Sequence, residues 1–203
     1  MKWLHKLGVN VMTMSPAKKD YGHHNYPPER IEKAIRWLKI HGNQKIGIVG
    51  ASTTGTLAKR TGDMINSRKL FDDSEAVHPI TEEEMIKIEK IHGTLLLIGA
   101  EDDVLWDTAK YIRRMEQRMK EHPHTCRLES VIYEHATHFV FPESMLKTML
   151  PIGSGIFMKL AFQAARKYPK ECQRARLDID QRVRNAVAEW KSAERQIKID
   201  REV

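Results

Sequence analysis

Short uninterrupted apolar runs alternate along this chain with stretches where apolar residues recur every three or four positions. Four runs have the length of strands: residues 7–14, 45–50, 94–99 and 128–133, the last with more alternation than the others. Near-continuous apolar strands are what a parallel sheet covered on both faces requires. Between them lie helical patterns. Over residues 29–40, Ile31, Ala34, Ile35 and Leu38 form one apolar stripe, with Pro27 and Pro28 at the entry and Gly42 past the exit. A second helix is predicted over 106–121, with Ala109, Ile112, Met115 and Met119 on one side and Pro123 as its stop. A third begins near Ser154 and carries Phe157, Leu160, Ala161 and Ala164. The last, over 179–196, shows Val183, Ala186, Val187 and Trp190.

Strand, helix and strand in succession with short connections predict right-handed β-α-β crossovers and an α/β fold with a doubly wound sheet. Residues 59–90 break the rhythm. They are polar and charged, offer a helix start at Thr81-Glu82-Glu83-Glu84, and contain no predicted strand.

Composition changes this picture little. The chain has 203 residues, 41% hydrophobic and 30% charged, which fits one α/β domain with a helical appendage. The expected division is an α/β domain over residues 1–168 and a basic helical extension over 169–203. Of the net charge of +7, much lies in Arg166, Lys167, Lys170, Arg174, Arg176, Arg182 and Arg184. Such a face can meet nucleic acid or an acidic ligand, but it is more often a solvated helix face. With no aromatic-basic RNA motif or DNA-reading module in the sequence, nucleic acid ranks last among the partners. No apolar run approaches the roughly 20 residues of a membrane helix. The opening residues are charged too soon for a signal peptide. Two cysteines, Cys126 and Cys172, make neither a disulfide framework nor a metal clamp. A cytoplasmic protein without membrane attachment is the expectation.

The most informative stretch is 46–55. A predicted strand ends at Gly50, Ala51 and Ser52 follow, and a helix could begin near Thr53. A nucleophile elbow has this setting, a tight strand-to-helix turn with small neighbours that lifts a serine hydroxyl above the sheet. Thr54 stands where the pattern G-x-S-x-G has its last glycine, with Gly55 one residue later. Gly50 and Gly55 also have P-loop spacing, but Thr56 replaces the lysine that would grip phosphate. On these residues alone, a nucleophile and a helix N-cap at Ser52 or Thr53 remain open together.

A serine nucleophile needs a base and a carboxylate to orient that base. The third predicted strand runs into Glu101-Asp102-Asp103, and the fourth into His135-Ala136-Thr137-His138. Both stretches follow the carboxyl ends of strands, where open α/β sheets place their sites. The pair His135-x-x-His138 also reads as a surface loop or half a metal site. His23-His24 and His122-x-His124 are isolated from it, so no metal cluster is predicted.

Residues 50–55, Ile88-Glu89-Lys90-Ile91, residues 101–106 and residues 135–139 together resemble the acyl-CoA thioester hydrolase / bile acid-CoA:amino acid N-acyltransferase C-terminal family, within the α/β-hydrolase superfamily. The helix over 26–38 is similar to the family segment before its nucleophile strand. The resemblance covers residues 5–168 in pieces. It implies a mostly parallel sheet with helices on both faces. Ser52 would be the nucleophile, Asp103 the orienting acid and His138 the general base. The Thr53 backbone N–H would be an oxyanion donor. Asp103 is preferred to Asp102 because its spacing to Trp106 follows the family pattern. The implied substrate is a small-molecule acyl thioester, acyl-CoA-like, or an ester, with no cofactor and no metal. The basic surface would suit the phosphates of coenzyme A. The family also carries strands before the segment where this chain starts and a further strand between serine and acid. The resemblance therefore implies a truncated and internally shortened copy, with an incomplete sheet whose open edge invites homo-oligomers. A catalytically inactive homologue serving as a binding module is the alternative it leaves.

Overall fold

The computed structural model describes residues 2–13, 29–43, 45–49, 68–150 and 154–202. In chain order the elements are α1 (Lys2–His5), α2 (Glu29–Ile40), α3 (Arg68–Val77), a 3-10 turn (Ile88–Lys90), β1 (Thr94–Ala100), α4 (Thr108–Glu121), β2 (Arg127–Tyr133), α5 (Glu143–Met149), α6 (Ser154–Ala161), α7 (Gln163–Lys167) and α8 (Pro169–Glu202). They belong to two compact units, one of Met1–Ser52 with Trp190–Val203, the other of Thr53–Glu189.

In the first unit, α2 forms where its apolar spacing predicts and ends as its glycine predicts. Gly42 takes φ +83°, donates to Lys39 O at 3.1 Å, and lets Asn43 N reach Leu38 O at 3.0 Å. That pair of hydrogen bonds satisfies two terminal carbonyls through a left-handed residue. The two strands expected here are not present among the described residues. Residues 6–8 form a turn, 9–13 are irregular, and 45–49 are irregular with Ile48 and Val49 exposed. A strand exists only by pairing, and a short apolar run cannot announce whether a partner edge is available.

The second unit is an α/β arrangement built on a parallel pair, β1 and β2, in register from Thr94 opposite Arg127 to Ala100 opposite Tyr133. The pleat assigns its two faces. On one face, Leu95 and Leu128 pack with Met115 and Met119 of α4, and with Ile88 and Cys126. Ser130 on that face bonds Glu116 of α4. On the other, Ala100 packs with Ala175 of α8, while Glu129 and Tyr133 bond Arg182 and Asp178 at 2.6 Å each. Each face of the pair thus carries a helix. Gly99 permits the α4 side. A Cβ there would lie 2.6 Å from Ile112 Cδ1 and 3.0 Å from Thr108 Cβ.

Thr81 does begin a capping pattern, with its N and Oγ1 both 2.9 Å from Glu84 Oε2, but the chain makes a single turn there instead of a helix. The helix of that region is α3. It is fastened to α4 by Lys110 to Glu75 at 2.8 Å and by Arg114 to Glu75, and to the loop before α4 by stacking of Phe71 on Trp106. Finally, α8 starts ten residues before the expected position, at Pro169. Proline suits the first helical turn, and Cys172, Ala175 and Ile179 give the early part its buried stripe. A second core cluster, Leu105, Leu146, Met158, Ala161, Phe162 and Ala165, joins the loop after β1 to α5, α6 and α7.

Candidate active site

Two loops at the carboxyl ends of β1 and β2 meet in the second unit. The last step of the ladder, Glu101 N to Tyr133 O at 2.9 Å, brings them side by side. Beyond it, Asp103 and His138 face each other. His138 Nδ1 lies 2.9 Å from Asp103 Oδ2 and 3.0 Å from Oδ1. Asp103 is fully buried and His138 is 7% exposed.

The carboxylate is held from several sides. Oδ1 accepts from Leu105 N at 3.0 Å and Trp106 N at 3.1 Å, bonds that its own tight turn supplies. Oδ2 lies 3.2 Å from Thr108 Oγ1, which in turn accepts from Ala100 N at 3.0 Å. An ionised carboxylate is an acceptor on both oxygens. Facing such a carboxylate, His138 donates through Nδ1, and the neutral ring then carries its lone pair on Nε2. This is the tautomer in which an imidazole can take a proton from a nucleophile.

The loop itself is anchored by α3. Arg68 N donates to Val104 O at 3.0 Å, Arg68 Nη1 donates to Glu101 O at 2.9 Å, and Nη2 pairs with Asp107. Asp107 caps α4 by accepting from Lys110 N at 2.9 Å. On the other loop, Phe139 N donates to Thr137 Oγ1 at 3.2 Å, and the Phe139 ring packs edge-on against Phe141, Phe157 and Phe162.

Of the residues the sequence singles out, Asp103 and His138 are brought together. Ser52, Thr53 and the rest of the elbow motif lie outside the described residues. Sequence reasoning missed Arg68 and Thr108. The signal for Thr108 was its place two residues after Trp106 at a helix start, whereas Arg68 sits in a polar stretch with nothing to mark it. It also missed a second pair in the same loops, in which His135 Nδ1 stands 3.0 Å from Asp102 Oδ2.

Cys126 and Cys172 are free and buried, and burial pushes both thiols up from their usual range. Among the described residues no group of His, Cys, Asp and Glu could hold a metal ion, and no helix is long and apolar enough to cross a membrane. The basic residues of α8 are partly committed to ion pairs, with Arg176 on Glu143 at 2.8 Å, Arg182 on Asp178 at 2.7 Å and Arg184 on Asp180 at 3.2 Å.

A parallel strand pair with helices on both faces is compatible with an α/β-hydrolase-like fold. Comparison with known families points the same way. Residues 58–145 match the family model described as BAAT / Acyl-CoA thioester hydrolase C terminal, the family the sequence resembles. The matched segment contains Asp103 and His138 and begins after Ser52. No curated protein and no solved structure matches the chain.

Proposed function

We propose that this chain is a serine hydrolase of small-molecule acyl thioesters, acyl-CoA-like, or of esters, acting in a cytoplasmic setting. The observation that supports the reading is the buried Asp103–His138 contact, 2.9 Å from Oδ2 to Nδ1, which is the contact a carboxylate makes when it orients a general base. Ser52 is its nucleophile and the Thr53 backbone N–H an oxyanion donor.

Chemistry follows from those roles. Ser52 Oγ attacks the acyl carbonyl carbon while His138 Nε2 takes the hydroxyl proton. Asp103 stabilises the imidazolium by accepting from Nδ1–H. The tetrahedral adduct expels the thiolate or alkoxide, which leaves with the proton from Nε2. Water then gives its proton to His138 and attacks the acyl-enzyme, releasing the acid and restoring Ser52. Hydrolysis and acyl transfer share the first half and differ in the acceptor of the second.

A fluorophosphonate probe tests the proposal. The wild-type chain is expected to be labelled, and Ser52→Ala to remain unlabelled with its near-UV circular dichroism unchanged. Asp103→Asn would keep the loop but offer the wrong partner to Nδ1, lowering turnover by about 10⁴-fold. A folded wild-type protein that takes no label overturns the enzymatic reading.

One observation favours a second reading, a catalytically inactive homologue that serves as a binding module. The family match begins at residue 58, so the acid and base lie within it and Ser52 does not. Under that reading the chain folds, binds acyl thioester without turnover, and gives equal results with and without Ser52.

A further inference from the structure

The loops after β1 and β2 are joined by two side-chain rungs. Asp103 with His138 is one. Asp102 with His135, at 3.0 Å between Oδ2 and Nδ1, is the other, and it lies at the half-exposed rim where the first is buried. The ring of His135 is fixed on its flat side as well. It stacks on Tyr168 with centroids 3.6 Å apart and planes within 3° of parallel. Tyr168 sits at the junction of α7 and α8, its N bonded to Ala164 O at 2.7 Å and its O to Cys172 N at 3.0 Å. Lys167 Nζ stands 5.0 Å from the Tyr168 ring centroid.

We infer that His135 is a positioning residue for the acid–base pair. Its bond to Asp102, oriented by the Tyr168 stack, sets the spacing between the two loops and thereby the alignment of His138 on Asp103. The inference rests on the hydrolase reading for its catalytic meaning, but its geometry stands by itself. Adjacent Cα atoms are about 3.8 Å apart across a trans peptide, so Asp102 and Asp103 cannot move independently. On the β1 side, Asp103 is tied to its own turn, to Thr108 and, through its carbonyl, to Arg68 at 3.5 Å. On the β2 side the Glu101 N to Tyr133 O bond lies five residues before His138 and the packed Phe139 ring one residue after it; His135, three residues before His138, adds the side-chain tether to the β1 loop. A misplaced base is costly, since a shift of about 1 Å in a reacting group lowers rate by roughly 10²-fold.

Two substitutions separate the bond from the stack. His135→Phe keeps a ring on Tyr168 and loses the donor to Asp102. His135→Asn loses the ring and keeps an N–H near the position of Nδ1. The probe is the His138 Nδ1–H proton, a buried proton on a carboxylate, seen by NMR and assigned through its absence in His138→Gln. In His135→Phe its exchange with solvent is expected to quicken by about tenfold or more, the scale of one lost bond to a charged group. The rate of fluorophosphonate labelling should fall by a similar factor. His135→Asn is expected to behave like the wild type in both. Unchanged exchange in His135→Phe overturns the inference, and so does equal acceleration in the two variants, which would assign the effect to the stack. If His135→Phe loses its native near-UV signal, Asp102→Leu removes the same bond from the other side and carries the same expectation. A wild type without labelling, but with the exchange order intact, sinks the hydrolase reading and leaves the positioning role supported.

Discussion

At the scale of single residues, the site depends on how closely α4 approaches β1, and Gly99 decides that distance. A methyl group at 99 would press on Ile112 Cδ1, a flexible tip, and on Thr108 Cβ, which is not one. Thr108 is held in place by Ala100 N and faces the Asp103 carboxylate. Gly99→Ala should therefore destabilise the fold by about 1–3 kcal/mol, the usual cost of overpacking. It should also loosen the His138 Nδ1–H proton, so that melting temperature and imidazole exchange change together. An unaltered melt would mean that α4 yields without cost. The meeting of Asp103 and His138 was legible in the sequence because each follows an apolar strand and the two strands pair. His135 and Arg68 were not, since their value lies in partners 33 to 39 residues away that no spacing rule connects, whereas Thr108 has its partners five and eight residues back and only its place at a helix start to mark it.

Elements show the same division between local and distant causes. α2, α4 and the strands β1 and β2 were readable, as their apolar periodicity is strong and their ends carry Gly42 or Pro123. α3 was not readable, because its hold on the fold is mostly electrostatic. Arg68 at its start grips Glu101 O and Asp107, and Glu75 near its end meets Lys110 and Arg114. Arg68→Met should cost roughly 1.5–3 kcal/mol for bonds to charged and buried groups. Arg68→Lys should recover little of it, since an ammonium cannot fork between a carbonyl and a carboxylate. Comparative denaturant midpoints would decide the matter, and equal stability of Lys and wild type would refute the fork.

The turn at 81–84 and the 3-10 turn are pinned in the same manner. Arg118, only 8% exposed, bonds Glu89 at 2.6 Å and Glu82 at 2.9 Å. Its guanidinium holds both carboxyls at about 2, well below their usual 4.5, with Lys87 also lowering Glu82. Carboxyls depressed by folding stabilise the native state above the unfolded value, and that stability disappears as protons bind the native state too. Thermal stability should thus decline as pH falls from 4.5 toward 2. In Arg118→Met the decline over that interval should be shallower, from a lower starting point at neutral pH. A parallel pair of curves would exclude this pair of carboxyls as the cause.

For the whole molecule, the question is where the chain can be cut. The charge pattern proposes a boundary at 168/169, with everything beyond it an appendage. Burial proposes another. Cys172, Ala175 and Ile179 are 3%, 3% and 0% exposed, Arg176 bonds Glu143, and Arg182 bonds Glu129 of β2. Those residues cover one face of the strand pair, and all precede Glu189, the end of the second compact unit. A fragment of residues 1–168 would expose the underside of a two-stranded sheet, which is too small to be stable by itself. It is expected to lack a cooperative unfolding transition. Thr53–Glu189 retains the sheet, both helical layers and the Asp103–His138 pair. That fragment should unfold cooperatively and keep the slowly exchanging Nδ1–H of His138, although it begins after Ser52 and should take no fluorophosphonate. Cooperative unfolding of the shorter piece would restore the boundary the charges suggest, and would mean that the contacts of α8 with β2 add little to what the strands, α4 and the Leu146–Phe162 cluster already hold together.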